Sequence, residues 1–478
     1  MPQEAATIAA FLMRQLPPDS GFLMSSMNAG ERRAVFTLAS LFSLRMIGLF
    51  MIMPVFALYG RELAGATPVL IGLAIGVYGL AQALLQIPLG LLADRMDRKR
   101  LILMGLVLFA VGGVIAAVSD HIYGVILGRA VQGAGAISGV VMALLADLTR
   151  EEQRTKAMAA IGASIGVSFG LAFVLGPWVA GLFGLHGLFW STVLLGLAGM
   201  AVCMWLVPRP LNHVAHTPAS YGQQLRESLA HGELLRLNAG IFTLHAVMTA
   251  CFTVLPVLLL QNGGLPAAHH GWVYLPVLFG SFIAIVPAII MAERKRKMRQ
   301  VFLLAIAVLA AGLALLSGFH GGLWSLVTGL LVFFVGFNLL EALLPSLVSK
   351  LCPPGGKGTA MGIYSSSQFL GAFVGGVMGG FLQAYYGVTV LFAVLALLVV
   401  LWWMLAVWMA EPLALASVML RFGAMTPLKL DELAAGLRGV AGVTEVVVLP
   451  ADAVAYLRVD PAVFDPASLS GLPVTVAT

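Results

Sequence analysis

The chain has 478 residues, 60% of them hydrophobic and 10% charged, with a formal net charge of +6 and a mean hydropathy of +0.98. Soluble domains of ~150 residues would divide this length into about three. Instead, apolar runs follow one another almost without a break, each long enough to cross a hydrocarbon core of ~30 Å as a helix, so the composition excludes a string of soluble domains and identifies a polytopic membrane protein.

The first 26 residues contain one base, Arg14, and "LPPDSG" interrupts their weak apolar stretch, so they do not read as a signal peptide. Residues 1–30 are expected to be a disordered cytoplasmic segment, and "MNAGERRAVF" from Met27 reads as a natural start. Apolar periodicity then predicts twelve spans, at 34–58, 69–93, 101–118, 123–145, 157–183, 188–207, 237–260, 270–292, 300–319, 324–349, 359–384 and 388–410. They form two six-helix bundles, 31–207 and 237–411, joined by a linker at 208–236. Within that linker "YGQQLRESLAHGELLRL" is suited to lie along the membrane surface as a helix.

Short basic loops stay cytoplasmic. Of the 27 Lys and Arg residues, 20 lie in the N-terminal segment or in loops after even-numbered spans, and only Arg61 lies in a loop after an odd-numbered one. Both termini are therefore expected in the cytoplasm. The bases are scattered over short loops, which gives no support to nucleic-acid binding.

Charge is densest after the second span, where six of the seven residues from Asp94 to Arg100 in "GLLADRMDRKR" are charged. The segment recurs after the eighth span: "LADRMDRK" at 92–99 is echoed by "MAERKRK" at 291–297, and "TKAM" at 155–158 by "GTAM" at 358–361. Offsets of 199 and 203 residues make the halves a parallel repeat, an architecture that places a binding site between the halves near the midplane. Topology alone explains Arg95, Lys99 and Arg100. It does not explain Asp94, because acidic residues contribute little to orientation; a carboxylate there suits a helix N-terminus, such as that of the eleventh span near Thr359.

Ionisable groups inside a span are costly and usually face a cavity or a partner. Arg45 lies about eleven residues into the first span, Arg129 a few residues into the fourth, and Glu341 within the tenth. His245, in the seventh span, sits at a depth similar to Glu341 in the same half, which makes it a candidate for proton coupling as well as for packing. Gln82, Gln86, Asn338 and Gln368 are candidates for lining a cavity or for hydrogen-bonding between helices. In the fifth span Pro177 removes a backbone donor beside Gly176, which predicts a bend or loosening there. "GAFVGGVMGG" at 371–380 favours close packing at the corresponding place in the eleventh. Cys203, Cys251 and Cys352 are far apart and fit neither a disulfide framework nor a metal site.

Residues 417–478 hold four basic and six acidic side chains and no long apolar run. They read as strand 418–422, helix 427–437, strand 443–449, strand 453–459, a short helix at 466–470 and strand 473–477, a βαββαβ order that suggests a small ferredoxin-like domain. With neither Cys nor His, it is not expected to bind soft metals; regulation, oligomerisation or plain stability are the roles left open.

Three motifs resemble signatures of the major facilitator superfamily. Gly90 followed four residues later by Asp94 and a basic cluster resembles its loop motif, except that Asp97 stands where the family usually has glycine. "GRAVQGAG" at 128–135, with Arg129, Gln132 and Gly133, resembles the fourth-span motif. "GVSFGLAFVLGPWVAG" at 166–181, centred on Gly176 and Pro177, resembles the fifth-span motif of its drug:proton antiporters, in which it is read as a seal against proton leak. The resemblance implies that Asp94 packs against the start of the eleventh span and that Arg98 pairs with Asp147. Such contacts would hold the halves together in the outward-open state and break on inward opening.

The expected protein is an all-α polytopic membrane protein of the major facilitator fold with a small α/β tail. It is expected to be a monomer in a bacterial inner membrane, exporting small amphipathic molecules in exchange for protons, with no cofactor, no metal and no enzymatic activity. A proton-coupled metabolite importer and a membrane sensor signalling through the tail are the alternatives. No G-x-x-x-x-G-K-[ST] motif occurs, so ATP-driven pumping is not expected.

Overall fold

The computed structural model describes residues 27–93, 96–208, 221–294, 297–352, 357–409, 416–423, 427–449, 454–460, 463–469 and 474–477. The disorder expected of the first 26 residues and the placement of Asp94 fall outside these. Residues Arg33–Pro412 form one body and the C-terminal residues belong to another, each described here by itself.

The helices follow the apolar runs. Span 1 is Ala29–Phe50 continued by Met53–Tyr59, span 2 Pro68–Leu92, span 3 Arg98–Ala117, and span 4 Ile122–Ala134 continued by Ser138–Leu148. Spans 5 and 6 lie in one 51-residue helix, Glu151–Ala201. A linker helix, Tyr221–Ala230, precedes span 7 (Gly232–Phe252 with Leu255–Gln261), span 8 (Gly271–Arg294), span 9 (Met298–Gly318) and span 10 (Leu323–Leu351). Spans 11 and 12 share a second 51-residue helix, Lys357–Val407. Among the described residues ten helices are thus long and apolar enough to cross a membrane, and two of them hold two spans each. The folds within those two fall at Gly184 (φ 64°) and Gly387 (φ 82°), left-handed conformations that cost glycine least. These glycines occupy equivalent places in the two halves.

Local chemistry sets several ends. Asn28 Oδ1 accepts from the Glu31 N–H at 2.8 Å while the Asn28 N–H donates to Glu31 Oε2 at 2.8 Å, a capping box that starts span 1. Span 7 begins at Gly232, five residues ahead of the sequence expectation, because His231 Nδ1 caps it by accepting from the Leu234 N–H. Span 5 keeps helical dihedrals through Gly176 and Pro177; its one non-helical residue is Gly184. The bend or loosening expected at Gly176–Pro177 is therefore absent from the local backbone conformation. Gly176 serves close approach instead, since a Cβ there would overlap the Met51 carbonyl of span 1.

The two halves meet at one end of the bundle and part at the other. At the end away from the basic turns, span 2 lies directly on span 11. A Cβ on Gly72 would overlap the Gly376 carbonyl, one on Gly76 the Phe373 carbonyl, and one on Gly380 the Pro68 carbonyl. Span 5 meets the start of span 8 nearby, with Gly181 against Ala268. Deeper in, Phe169 and Phe173 of span 5 join the core of the second half, with ring centroids 6.2 Å from Phe334 in each case and 5.0 Å between Phe173 and Phe252. Towards the basic end the packing stops. Nothing stands within 4 Å of a Cβ built on Gly90, Gly162, Gly166, Gly358 or Gly362, and Leu84 is 65% exposed.

In the C-terminal unit, β1 (Ala416–Phe422), a helix (Pro427–Arg438), β2 (Val443–Leu449), β3 (Val454–Val459) and β4 (Val474–Ala477) build an antiparallel sheet in the order β2-β3-β1-β4 over a core including Leu420, Leu437 and Leu457. The expected second helix is reduced to a 3₁₀ turn, Pro466–Leu469.

The seam between spans 2 and 11 predicts the effect of a methyl group. Gly376→Ala should cost ~1–3 kcal/mol of the closed contact by overpacking. Since ~1.4 kcal/mol is tenfold in an equilibrium, thiol labelling of a Val69→Cys reporter at that seam should rise about tenfold. An unchanged labelling rate would mean that the seam yields without parting the halves.

Candidate functional site

Polar side chains inside the spans gather into two clusters, one in each half. In the first half Arg45 is 1% exposed. Its Nη2 donates to Tyr78 Oη (2.8 Å), Gln82 Oε1 (2.9 Å) and the Gly135 carbonyl (3.1 Å), and its Nη1 to Ser138 Oγ (3.2 Å). Arg129, 3% exposed, donates through Nη1 to Gln132 Oε1 (3.1 Å) and lies 4.9 Å from the centre of the Tyr78 ring. Gln132 in turn donates to Thr192 Oγ1 at 3.0 Å. Tyr78 therefore links the two guanidinium groups, through its hydroxyl on one and its ring face on the other, where a cation is attracted by the quadrupole. No carboxylate pairs with either arginine among the described residues; neutral oxygens and one ring carry both charges.

The second half places its ionisable groups at equivalent positions. His245 stands 200 residues after Arg45, and Glu341 203 residues after Ser138. The Arg45–Ser138 contact of spans 1 and 4 is thus matched by one between spans 7 and 10, with His245 Nε2 2.5 Å from Glu341 Oε1. Gln368 Nε2 of span 11 is 2.7 Å from the same imidazole nitrogen. A ring nitrogen carries one proton or one lone pair, never both. With Nε2–H, the imidazole donates to the Glu341 carboxylate, and Gln368 has to turn its amide oxygen inward. With a lone pair at Nε2, Gln368 donates into it, and the bond to Glu341 needs a proton on the carboxyl group. The Glu341 side chain keeps 30% of its surface open, whereas that of His245 keeps 9%. Phe337 stands edge-on to the imidazole at 5.9 Å. Asn338, one turn from Glu341, donates to Ser281 Oγ at 2.7 Å and so holds spans 8 and 10 together instead of joining this cluster.

At the basic turn, Asp97 caps span 3, its Oδ1 accepting from the Arg100 N–H at 2.8 Å. This gives a purpose to the residue that departs from the loop motif: an N-cap needs a short side-chain acceptor that glycine lacks. Arg98 pairs with Asp147 and donates to the Ala143 carbonyl at 2.6 Å. Both partners belong to the first half, and the pair is intact although the halves have parted at this end. Arg98–Asp147 is therefore not a contact that breaks on opening here; it ties span 3 to span 4 within one half. Gly90 is free of close neighbours, and Asp94 is not among the described residues. Gln86 is buried with its Oε1 unbonded. The three cysteines are buried free thiols. Sequence reasoning singled out both arginines, Gln132, His245, Glu341 and Gln368, but passed over Tyr78, Ser138 and Thr192, which are ordinary residues until the fold brings them to a charge.

Comparison with known proteins places these observations in a family. The model of the Major Facilitator Superfamily matches residues 38–376. The chain is 46% identical over 435 residues to the inner membrane transport protein YajR of Escherichia coli (strain K12), covering 91% of this chain and 95% of the relative. It is 28% identical over 346 residues to the multidrug resistance protein MdtH of Aeromonas hydrophila, covering 71% and 85%. Among solved structures it resembles an inward-facing, unoccupied bacterial homologue of the human lysosomal transporter Spinster, with a TM-score of 0.62 at 15% identity over 80% of this chain and 98% of that one. That likeness concerns the fold.

The bridging role of Tyr78 can be tested. Tyr78→Phe keeps the ring under Arg129 and removes one of the oxygens that satisfy Arg45. Leaving a buried charged donor short of a partner costs ~1–3 kcal/mol, so the purified variant should unfold at a lower temperature than the wild type. An unchanged melting temperature would show that Gln82, Gly135 and Ser138 suffice for Arg45.

Proposed function

The chain belongs to the major facilitator superfamily, and on that premise we propose that it is a proton-coupled antiporter that exports small amphipathic molecules by alternating access. The observation that carries this reading is the contact of Glu341 with His245 and Gln368. Glu341 is the one acidic residue inside a predicted span. Its hydrogen bond to His245 takes a different form with and without the carboxyl proton, and its partly open surface leaves it within reach of a solute. An acid poised in this way can bind a proton or face the positive or polar end of a substrate, but not both, which is the exchange an antiporter needs. The two fixed arginines of the first half strengthen the effect, because their charge makes a second positive charge nearby unfavourable.

With the basic turns in the cytoplasm, both termini are cytoplasmic and the parted end faces inward, the state from which an exporter loads. Gly176, pressed on the Met51 carbonyl, contributes to a tight seam between spans 1 and 5, which fits a barrier to proton leak. The loop acid Asp94 would act against the N-terminus of span 11 in the state in which the basic end is closed. Arg98 and Asp147 position that loop from within the first half. The chain works as a monomer in a bacterial inner membrane; the standing of YajR as an inner membrane transport protein and the relation to MdtH support the location and the class of substrate.

Flux of a fluorescent amphipathic dye into inverted vesicles under an imposed pH gradient tests the reading. Export predicts dye accumulation driven by an acidic vesicle interior, import predicts the opposite sign, and a sensor predicts no flux. Glu341→Gln keeps size and hydrogen bonding without the titratable charge. It should abolish the gradient-driven part, at least tenfold below wild type, while dye binding survives. Full gradient-driven flux in that variant would remove Glu341 from the coupling.

A further inference from the structure

A groove of about 230 Å³ opens at the basic end of the second half, between the starts of spans 7 and 9 and the end of span 12. Its floor is Phe302, Trp402 and Ala406, with the Trp402 ring lying on Gly240, where a Cβ would stand 2.9 Å from Cζ2. Phe302 meets that ring edge-on at 6.1 Å. Leu235 and Leu405, 44% and 62% exposed, form the rim. The walls are almost wholly apolar, and the groove lies outside both polar clusters and the seam between the halves.

Cationic groups stand at its mouth. Arg236 lines the groove, paired with Glu233 and donating to the Trp408 carbonyl at 3.2 Å. Beside it, Arg299 Nη2 donates to the Val407 carbonyl at 2.5 Å, while its buried Nε makes no hydrogen bond. Lys297 is exposed two residues earlier. Glu233 offsets one of these three charges, so the mouth keeps a net positive charge over an apolar slot. A helix in water would gain nothing from such a slot, but a membrane offers it hydrocarbon chains. The apolar walls suit an acyl chain, and basic pockets between membrane helices bind anionic headgroups.

We propose that this groove is a binding site for one anionic phospholipid of the leaflet at the basic end, with an acyl chain on Trp402 and Phe302 and the phosphate at Arg236 and Arg299. A lipid held there would join spans 7, 9 and 12 at the start of the helix that carries His245.

Native mass spectrometry of the full-length protein, titrated with phosphatidylglycerol or phosphatidylethanolamine, tests this. The wild type should retain phosphatidylglycerol about fivefold more strongly, the factor expected of one basic residue near an anionic lipid. Arg236→Gln should reduce that preference to near unity. Ala239→Phe, placed on an exposed position of the lining, should fill the slot and weaken retention of both lipids. Equal retention of the two lipids by the wild type, or retention of phosphatidylglycerol that Ala239→Phe leaves undiminished, overturns the proposal. If Arg236→Gln does not fold, the Ala239→Phe result decides alone. Neither variant touches Glu341, so dye flux and lipid retention can fail independently.

Discussion

Inside a hydrocarbon layer no water is available to complete a hydrogen bond, so every polar group has to find its partner within the protein. That constraint shapes this structure. Arg45 and Arg129 are buried among the spans of the first half, and neither is matched by a carboxylate among the described residues. Tyr78, Gln82, Gly135, Ser138 and Gln132 supply neutral acceptors instead, and a ring face supplies the rest. The charge is thereby solvated by the fold but not cancelled. In the second half the equivalent places hold an imidazole and a carboxyl group in contact, which on the proposed reading share a proton. The repeat thus gives one half a fixed charge and the other a variable one.

Packing explains how such a protein can change shape without exposing those groups. Spans 2 and 11 approach so closely at one end that glycine is the residue that fits, whereas at the other a Cβ on Gly90, Gly358 or Gly362 would meet nothing. A contact of backbone against backbone either forms over a whole face or parts, which favours two discrete arrangements over a continuum. Each polar cluster lies within one half, so a rigid rotation of the halves keeps its hydrogen bonds. The Arg98–Asp147 pair obeys the same rule: it moves with its half and survives the opening that it had been expected to prevent.

Much of this was legible in the sequence, because membrane helices announce themselves by length and hydropathy and their orientation by the placement of bases. The span boundaries, 183 to 188 and 384 to 388, located the breaks at Gly184 and Gly387 to within a few residues. Arg45, Arg129, His245 and Glu341 stood out because charge inside a span is rare. What escaped was whatever depends on a partner. Tyr78 and Ser138 carry no unusual signal, and the pairing of Gln368 with His245 needs span 11 to cross span 7. Pro177 was read by its local rule as a bend or loosening, and the helix keeps helical dihedrals there. Asp97 looked like a departure from a motif and is a helix cap. In the tail the strand pattern was readable, while the second helix is a 3₁₀ turn.

The proposed exchange at Glu341 requires that its protonation state bias which end of the bundle is open. Spin labels on Gly162→Cys in the first half and Gly358→Cys in the second, both in open space at the basic end, report that separation as a distance distribution. In the wild type the distribution should shift as the pH is lowered. With Glu341→Gln it should match the low-pH wild-type distribution at every pH. A Glu341→Gln protein that keeps the wild-type pH response, or a wild type without one, would contradict the account.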